Sequence, residues 1–245
     1  MEVKGTTSLG KISGSGDLTI SGNSTNNSTV SQNNLYILSD SQLTSSGTIT
    51  ASVENTGTFS NGSILNGTLL NNTNAVTTSD AGNLKGVVTN YGTLNLSGTA
   101  ANTITGTCIV NVGENGLTIA NTFTTGTLDL TTGTLKVNKD TAVTLTNFTA
   151  NGGRLDLQND KTEALNLGNV TLTDDMYLSV DTDLNACTSD YLSATGINAN
   201  THKIIIDSIM VLADAQGEAL PTSIIVADAT LKDFIRLSQS QISVV

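Results

Sequence analysis

Few side chains in this sequence can do chemistry, and the densest group of them is a run of aspartates: Asp174, Asp175, Asp181, Asp183 and Asp190. Asp181-x-Asp183-x-Asn185 copies the opening of a calcium loop, where alternate oxygen ligands converge on one hard cation. The rest of that loop is missing. Its sixth position is Ala186, where a glycine makes the turn, and its twelfth is Leu192, where a glutamate closes the site. Asp181, Asp183 and Asn185 are thus incomplete metal candidates, and strand-end or turn carboxylates are the expected role. Asn151-Gly-Gly-Arg-Leu-Asp156 likewise lacks the repeated glycine–aspartate nonapeptide of calcium-binding β-rolls. His202, the lone histidine, stands next to Lys203 at the start of an apolar run with no serine or cysteine nucleophile motif. A solvated turn histidine is expected there, with no catalytic residue and no cofactor.

The surrounding chain is an unusual polymer. Its 245 residues carry a net charge of −11, yet only 13% are charged and 3% aromatic. Thr (41), Asn (27), Ser (24) and Gly (23) make up nearly half of it. Ten Lys and Arg against 21 Asp and Glu repel phosphate, and four Phe with four Tyr give few stacking platforms, so no nucleic-acid partner is expected. No apolar run approaches the ~18 residues of a membrane-spanning helix. Met1 to Gly10 lack the apolar region of a signal peptide. The expectation is a cytosolic chain or a piece cut from a larger exported precursor. A high Ser, Asn and Gly content can mean disorder. Hydrophobic residues nevertheless reach 37% and alternate with polar ones, which predicts a folded, strand-rich chain.

A short phrase recurs. Gly-Thr-apolar stands at Gly47, Gly57, Gly67, Gly92, Gly126 and Gly133, and the longer Asn-x-Gly-Thr-apolar at Asn55–Phe59 and Asn90–Leu94. Apolar-x-apolar pairs lie between, among them Leu94/Leu96, Val110/Val112, Leu128/Leu130, Leu135/Val137 and Leu155/Leu157. Such alternation places two apolar side chains on one face of a short strand, and the Asn and Gly positions supply turns. A sandwich wants longer strands and aromatic anchors. A solenoid needs only thin Leu, Val and Ile stacks inside and Asn, Thr and Ser ladders at its corners. Low charge fits, because identical charges stacked ~4.8 Å apart would repel. No Lys or Arg occurs from Ile12 to Leu84.

The expected fold is therefore all-β: a right-handed parallel β-solenoid with about 20 residues per turn and a more sandwich-like C-terminal cap. Residues 1–150 form the repeat stem, and residues 151–245 the last rungs and cap. The second stretch holds 13 of the 21 acidic residues and longer apolar runs, at Lys203–Asp207, Ile209–Leu212 and Ile224–Val226, with Pro221 in a turn before the last. Cys108 and Cys187 would sit three to four turns apart, roughly 15–20 Å, beyond the ~7 Å that a disulfide spans. They are expected to be two small buried hydrophobes.

Asn166-Leu-Gly-Asn-Val-Thr-Leu-Thr-Asp-Asp-Met-Tyr-Leu-Ser-Val-Asp-Thr-Asp-Leu184, then Thr188-Ser-Asp-Tyr-Leu192 and Thr201-His-Lys-Ile-Ile-Ile206, resembles the C-terminal passenger region of bacterial autotransporter-type adhesins. The Asn-x-Gly-Thr-Leu repeats look like that family's β-helical stem. The resemblance implies export across the bacterial outer membrane, display at the cell surface, and a folding seed in residues 151–245. It implies a non-enzymatic, monomeric adhesive segment. Its partners would be host or bacterial surface glycans or proteins, together with the membrane barrel of the full-length precursor. Signal peptide and barrel are absent from the sequence, so an excised passenger fragment is expected.

Two alternatives stand beside this reading. A carbohydrate-active β-helix of the pectin-lyase kind needs a carboxylate cluster with nearby His, Lys or Arg. Asp174-Asp175 exists, but no Gly-His or Arg-x-Lys follows it. Finding Lys136, Lys139, Arg154 and Asp156 on one face would favour this alternative. An ice- or surface-binding solenoid would present stacked Thr-x-Thr pairs. The pairs here, such as Thr56/Thr58, Thr103/Thr105 and Thr144/Thr146, recur at irregular intervals.

Overall fold

The computed structural model describes residues 1–213 and 225–238. Apart from a three-residue 3-10 turn at Ala81–Asn83, its regular elements are all strands. The chain packs as two units, Met1–Asn111 with Asn121–Gly126, and Val112–Ala120 with Thr127–Val245. Each is a parallel β-solenoid, in which a strand pairs with the strand one turn before it and the strand one turn after it.

In the first unit the inward positions stack in columns, three of which serve as examples. One runs Val3, Ile20, Ile37, Asn55, Asn71, Asn90 and Gly106, each in register over the last. A second runs Leu43, Phe59, Thr77 and Leu94, and a third Ile12, Val30, Ile49, Leu65 and Leu84. The apolar members are almost fully buried, except Ile12, which is partly exposed. Along the first column a turn takes 16 to 19 residues, from Asn55–Asn71 to Asn71–Asn90, slightly fewer than the expected 20.

The recurring Asn-x-Gly phrase is the corner that follows this column. Asn55, Asn71 and Asn90 point inward and are essentially unexposed. Asn55 Nδ2 donates to Asn71 Oδ1 at 3.0 Å, and Asn71 Nδ2 to Asn90 Oδ1 at 2.8 Å. Asn90 Nδ2 donates to the Ile109 carbonyl at 2.9 Å. Asn55 Oδ1 accepts from the Gly57 N–H, and Asn90 Oδ1 from the Gly92 N–H, which fixes the turn. Buried amides are tolerable here because nearly every donor and acceptor finds a partner one turn away. The glycine is needed for closeness: a Cβ at Gly92 would lie 2.4 Å from the Ala75 carbonyl oxygen of the turn below.

The second unit follows the same plan with growing turns. Leu117, Leu135, Leu155, Leu178, Ile206 and Leu237 stand over one another. The intervals rise from 18 residues (Leu117 to Leu135) through 23 (Leu155 to Leu178) to 31 (Ile206 to Leu237). The expected sandwich-like end takes a different form among the described residues. The apolar runs Lys203–Asp207 and Ile209–Leu212 join in one strand, Ile204–Ala213, that stacks in parallel on Met176–Asp183. Apolar content alone did not distinguish a sandwich strand from a long solenoid strand, since both bury an inward face. Pro221 and Ile224 lie outside the described residues.

Neither cysteine is a buried hydrophobe. Both are free, with Cys108 half-buried in a bend and Cys187 exposed at φ 55° in a hairpin turn.

Candidate functional site

The acidic residues of the second unit gather around one loop. The strand Met176–Asp183 turns back as a short antiparallel hairpin, with Thr182 opposite Ser189. This places Asp181 and Asp190 side by side, exchanging bonds: the Asp181 N–H donates to Asp190 Oδ2 at 2.7 Å, and the Asp190 N–H to the Asp181 carbonyl at 2.9 Å. Both are essentially unexposed. Asp181 Oδ2 accepts from three successive backbone N–H groups, those of Asn159, Asp160 and Lys161, at 2.8, 2.8 and 3.3 Å. Asp190 Oδ1 accepts from the Glu163 N–H at 2.9 Å. Two carboxylates thus replace the missing strand partners of residues 159–163. Such a nest of amides is an anion cradle, here filled by the chain's own side chain.

The sequence's metal candidates find these places. Asp181 faces inward onto the loop. Asp183 Oδ1 caps the hairpin turn by accepting from the Ala186 N–H at 2.9 Å. The two carboxylates therefore serve different backbone groups, and Asn185 lies in the turn between the hairpin strands. Among the described residues no group of three or more His, Cys, Asp or Glu could hold a metal ion.

Beside the loop lies a groove of about 490 Å³. Val137, Leu157 and Leu165, all nearly buried, give it an apolar floor, and Asp140, Lys161 and Glu163 a charged rim. Lys161 Nζ pairs with Asp140 and, at 2.9 Å, with Glu163 Oε1. The Asp140 hydrogen bond, then that of Glu163, raises the Lys161 pKa. Asp190 lines the same groove. Burial pushes its carboxyl up to about 6, against the two backbone N–H bonds, and the nearby Asp181 and Glu163 charges push the same way.

Two further constellations come together in the fold. Asp174 and Asp175, which no Gly-His or Arg-x-Lys follows in the sequence, have basic neighbours in space. His202 Nδ1 lies 4.0 Å from Asp174 Oδ1 and 3.7 Å from Asp175 Oδ1, and Arg236 lies 3.8 Å from Asp175. The Lys203 N–H donates to Asp175 at 2.8 Å. His202 lies just before an apolar strand and is half-buried, not the solvated turn residue expected. Elsewhere, Leu135 and Leu155 point inward in register, so Lys136, Arg154 and Asp156 share one outward face. Lys136 pairs with Asp156 at 3.5 Å, and Arg154 makes a bidentate pair with Asp207, 2.6 Å on each arm. The Arg154 guanidinium also lies 5.8 Å from the ring centre of half-exposed Tyr177. Lys139 is an exposed turn residue apart from this set.

The threonine pairs do not form one stack. Thr58 lies on Thr58–Asn61 and Thr105 on Ile104–Gly106, which belong to different columns. The outward stacks are mixed, as in Ser8, Thr25, Thr44, Ser60, Thr78 and Asn95.

No family model matches the chain, no curated protein matches it, and no solved structure matches it. The fold and the side-chain geometry are therefore the basis for a functional reading.

Proposed function

We propose that this chain is a non-enzymatic structural and adhesive segment, the passenger portion of a bacterial autotransporter-like adhesin carried on the cell surface. One observation carries the reading: polar groups are used to build turns. The buried Asn55, Asn71 and Asn90 hold the corners, and the buried Asp181 and Asp190 hold a loop. A solenoid built this way offers extended faces suited to weak, repeated contacts with surface glycans or proteins. The test uses the exposed thiol of Cys187. Bacteria expressing the complete parent gene are treated with a membrane-impermeant maleimide and assayed for adhesion. Labelling of intact cells, with adhesion lost when residues 1–213 are deleted, is the expected result. Labelling only after lysis, with adhesion unchanged by the deletion, overturns the reading.

A second reading, a carbohydrate-active β-helix, is supported by the grouping of Asp174, Asp175, His202 and Arg236 and by the shared face of Lys136, Arg154 and Asp156. An imidazole beside two carboxylates is a suitable general base. Depolymerisation of acidic polysaccharides by the purified chain, lost in His202→Ala, would establish it; no product from a broad polysaccharide panel would dismiss it.

A further inference from the structure

The corners between the first two columns of the first unit alternate in length. Four positions separate Asn55 from Phe59 and Asn90 from Leu94, whereas six separate Ile37 from Leu43 and Asn71 from Thr77. Each long corner carries its two extra residues in a turn. The Ser41 N–H closes one on the Leu38 carbonyl at 3.1 Å, and the Ala75 N–H closes the other on the Asn72 carbonyl at 3.0 Å. The third residues of these turns, Asp40 (φ 59°) and Asn74 (φ 66°), are left-handed and exposed. The short corner between them is held by the Gly57 N–H bond to Asn55 Oδ1. Two longer corners flanking a shorter one leave a groove of about 480 Å³, lined by Asp40 and Asn74 at the turns and by Thr56, Gly57 and Thr58 between them. Asn23 and Gln42, in register on adjoining strands, extend the lining.

The chemistry of the lining narrows what can enter. Asn23, Asp40, Gln42 and Asn74 are exposed and Thr58 is half-buried, and among the described residues none hydrogen-bonds their side chains. The groove is thus lined by accessible amide, hydroxyl and carboxylate groups with both donors and acceptors to offer. It holds no aliphatic or aromatic side chain, so a lipid or an apolar anchor finds no floor. A peptide strand finds no edge, because Gln42–Ser45 and Thr58–Asn61 are paired on both sides. Anions are repelled, since Asp40 lies in the lining and no Lys or Arg occurs from Ile12 to Leu84. A hard divalent cation gathers ~6–8 oxygens, several of them carboxylates, and among the described residues Asp40 is the one carboxylate in the lining. A neutral polyol fits, because each of its hydroxyls both donates and accepts.

We propose that this groove binds a neutral oligosaccharide. Asp40 accepts from its hydroxyls, and the amides of Asn23, Gln42 and Asn74 and the hydroxyl of Thr58 pair with the rest. The volume falls within the range of small-molecule sites, ~300–1,000 Å³. Asp40 and Asn74 stand two turns of the solenoid apart, ~10 Å along the stack. Their turns are already closed by backbone bonds, so binding orders side chains alone. Without an aromatic platform a single groove binds weakly, which suits repeated contacts. The inference names a partner class for the adhesive reading, and rests on that reading for the partner's presence at the cell surface.

The test is an amide-NMR titration of the full chain with lactose, maltotriose, cellotriose and chitotriose, and with sialyllactose and trigalacturonate as acidic counterparts. Saturable shifts at Gly57, Thr58 and Asn74 are expected with at least one neutral sugar, and about tenfold weaker binding of the acidic ones. Asp40→Gly and Asn74→Gly keep the left-handed turns and remove the side chains, so each should weaken the neutral sugar about tenfold. Asp40→Asn should narrow the gap between neutral and acidic sugars. Thr58→Trp, at an outward position of the lining, fills the groove and should abolish binding. The proposal is overturned if none of the four neutral sugars shifts these amides, if the acidic sugars bind as tightly, or if Asp40→Gly and Thr58→Trp bind unchanged. Such a failure with surface labelling and adhesion intact leaves the adhesive reading standing. Binding by the purified chain, with labelling and adhesion absent, leaves the groove standing and removes that reading.

Discussion

Replacing Asn71 by aspartate changes one atom type at the centre of the amide ladder. Asn71 is unexposed and makes four hydrogen bonds. Its Nδ2 donates to Asn90 Oδ1 at 2.8 Å and to the Thr93 carbonyl at 2.9 Å. Its Oδ1 accepts from Asn55 Nδ2 at 3.0 Å and Thr77 Oγ1 at 2.9 Å. Asn71→Asp keeps the two accepted bonds and sets an oxygen against two acceptors. The loss of two donated bonds costs about 1–3 kcal/mol together, Asn90 Oδ1 keeping its bond from the Gly92 N–H. A buried carboxylate facing two acceptors adds a desolvation and repulsion cost, so the total at pH 7.5 is roughly 4–6 kcal/mol. The acid form can donate one of the lost bonds, so the folded-state pKa is raised above the unfolded ~3.9. A raised pKa contributes stability that is full below the unfolded value and lost as pH rises through the folded one. The variant should therefore be rescued by acid relative to wild type. Urea unfolding of both proteins at pH 7.5 and 4.5, followed by circular dichroism and by amide exchange at Asn55 and Asn90, measures this. A deficit under about 1 kcal/mol at pH 7.5, or the same deficit at both pH values, would refute the ladder as a source of stability.

Other perturbations follow from the same geometry. Asp190, raised to about 6, gives a stabilising contribution that is full below its unfolded value near 4 and lost as pH rises through about 6, on the order of 3 kcal/mol in all. Carboxyl-carbon NMR of Asp190 checks it, and a midpoint below 5 would contradict the burial argument. Gly92→Ala puts a methyl 2.4 Å from the Ala75 oxygen and should cost about 2–4 kcal/mol by forcing two turns apart; a neutral effect on the urea midpoint would show that the corner yields. The Arg154–Asp207 pair, partly exposed, should show a coupling of about 1 kcal/mol in a double-mutant cycle with Arg154→Ala and Asp207→Ala, and a coupling near zero would make the clamp incidental.

Much of the fold could be read in the sequence because the solenoid's signal is local. Asn-x-Gly-Thr-apolar is a corner: inward amide, close-approach glycine, outward threonine, inward Phe59 or Leu94. Alternating pairs such as Leu128/Leu130 and Leu135/Val137 are inward strand positions, as expected. The sites could not be read in the same way, because stacking joins residues at no constant offset. Asp181 reaches back 20 to 22 residues to its loop, and Arg154 reaches forward 53 to Asp207. Asp174-Asp175 meets His202 and Arg236 only because two long turns intervene. The sequence around Asp181 does resemble a calcium loop, but its inward burial was decided by a hairpin whose strands, Thr182 with Ser189, are too short to announce themselves.

The uneven length of the turns has a consequence for how such a chain can change. What repeats is the pair of inward side chains, and the backbone between them is free in length. Passing from a 17-residue turn, such as Val3 to Ile20, to the 31-residue turn from Ile206 to Leu237 raises the entropy of loop closure by only about 0.5 kcal/mol. Insertions at a corner therefore leave strand register intact at little thermodynamic cost, whereas a one-residue insertion inside a strand would turn its inward pair to solvent. Evolution of new surface on this scaffold is channelled into the corners, and the loop clasped by Asp181 and Asp190 shows how a longer corner can carry its own support.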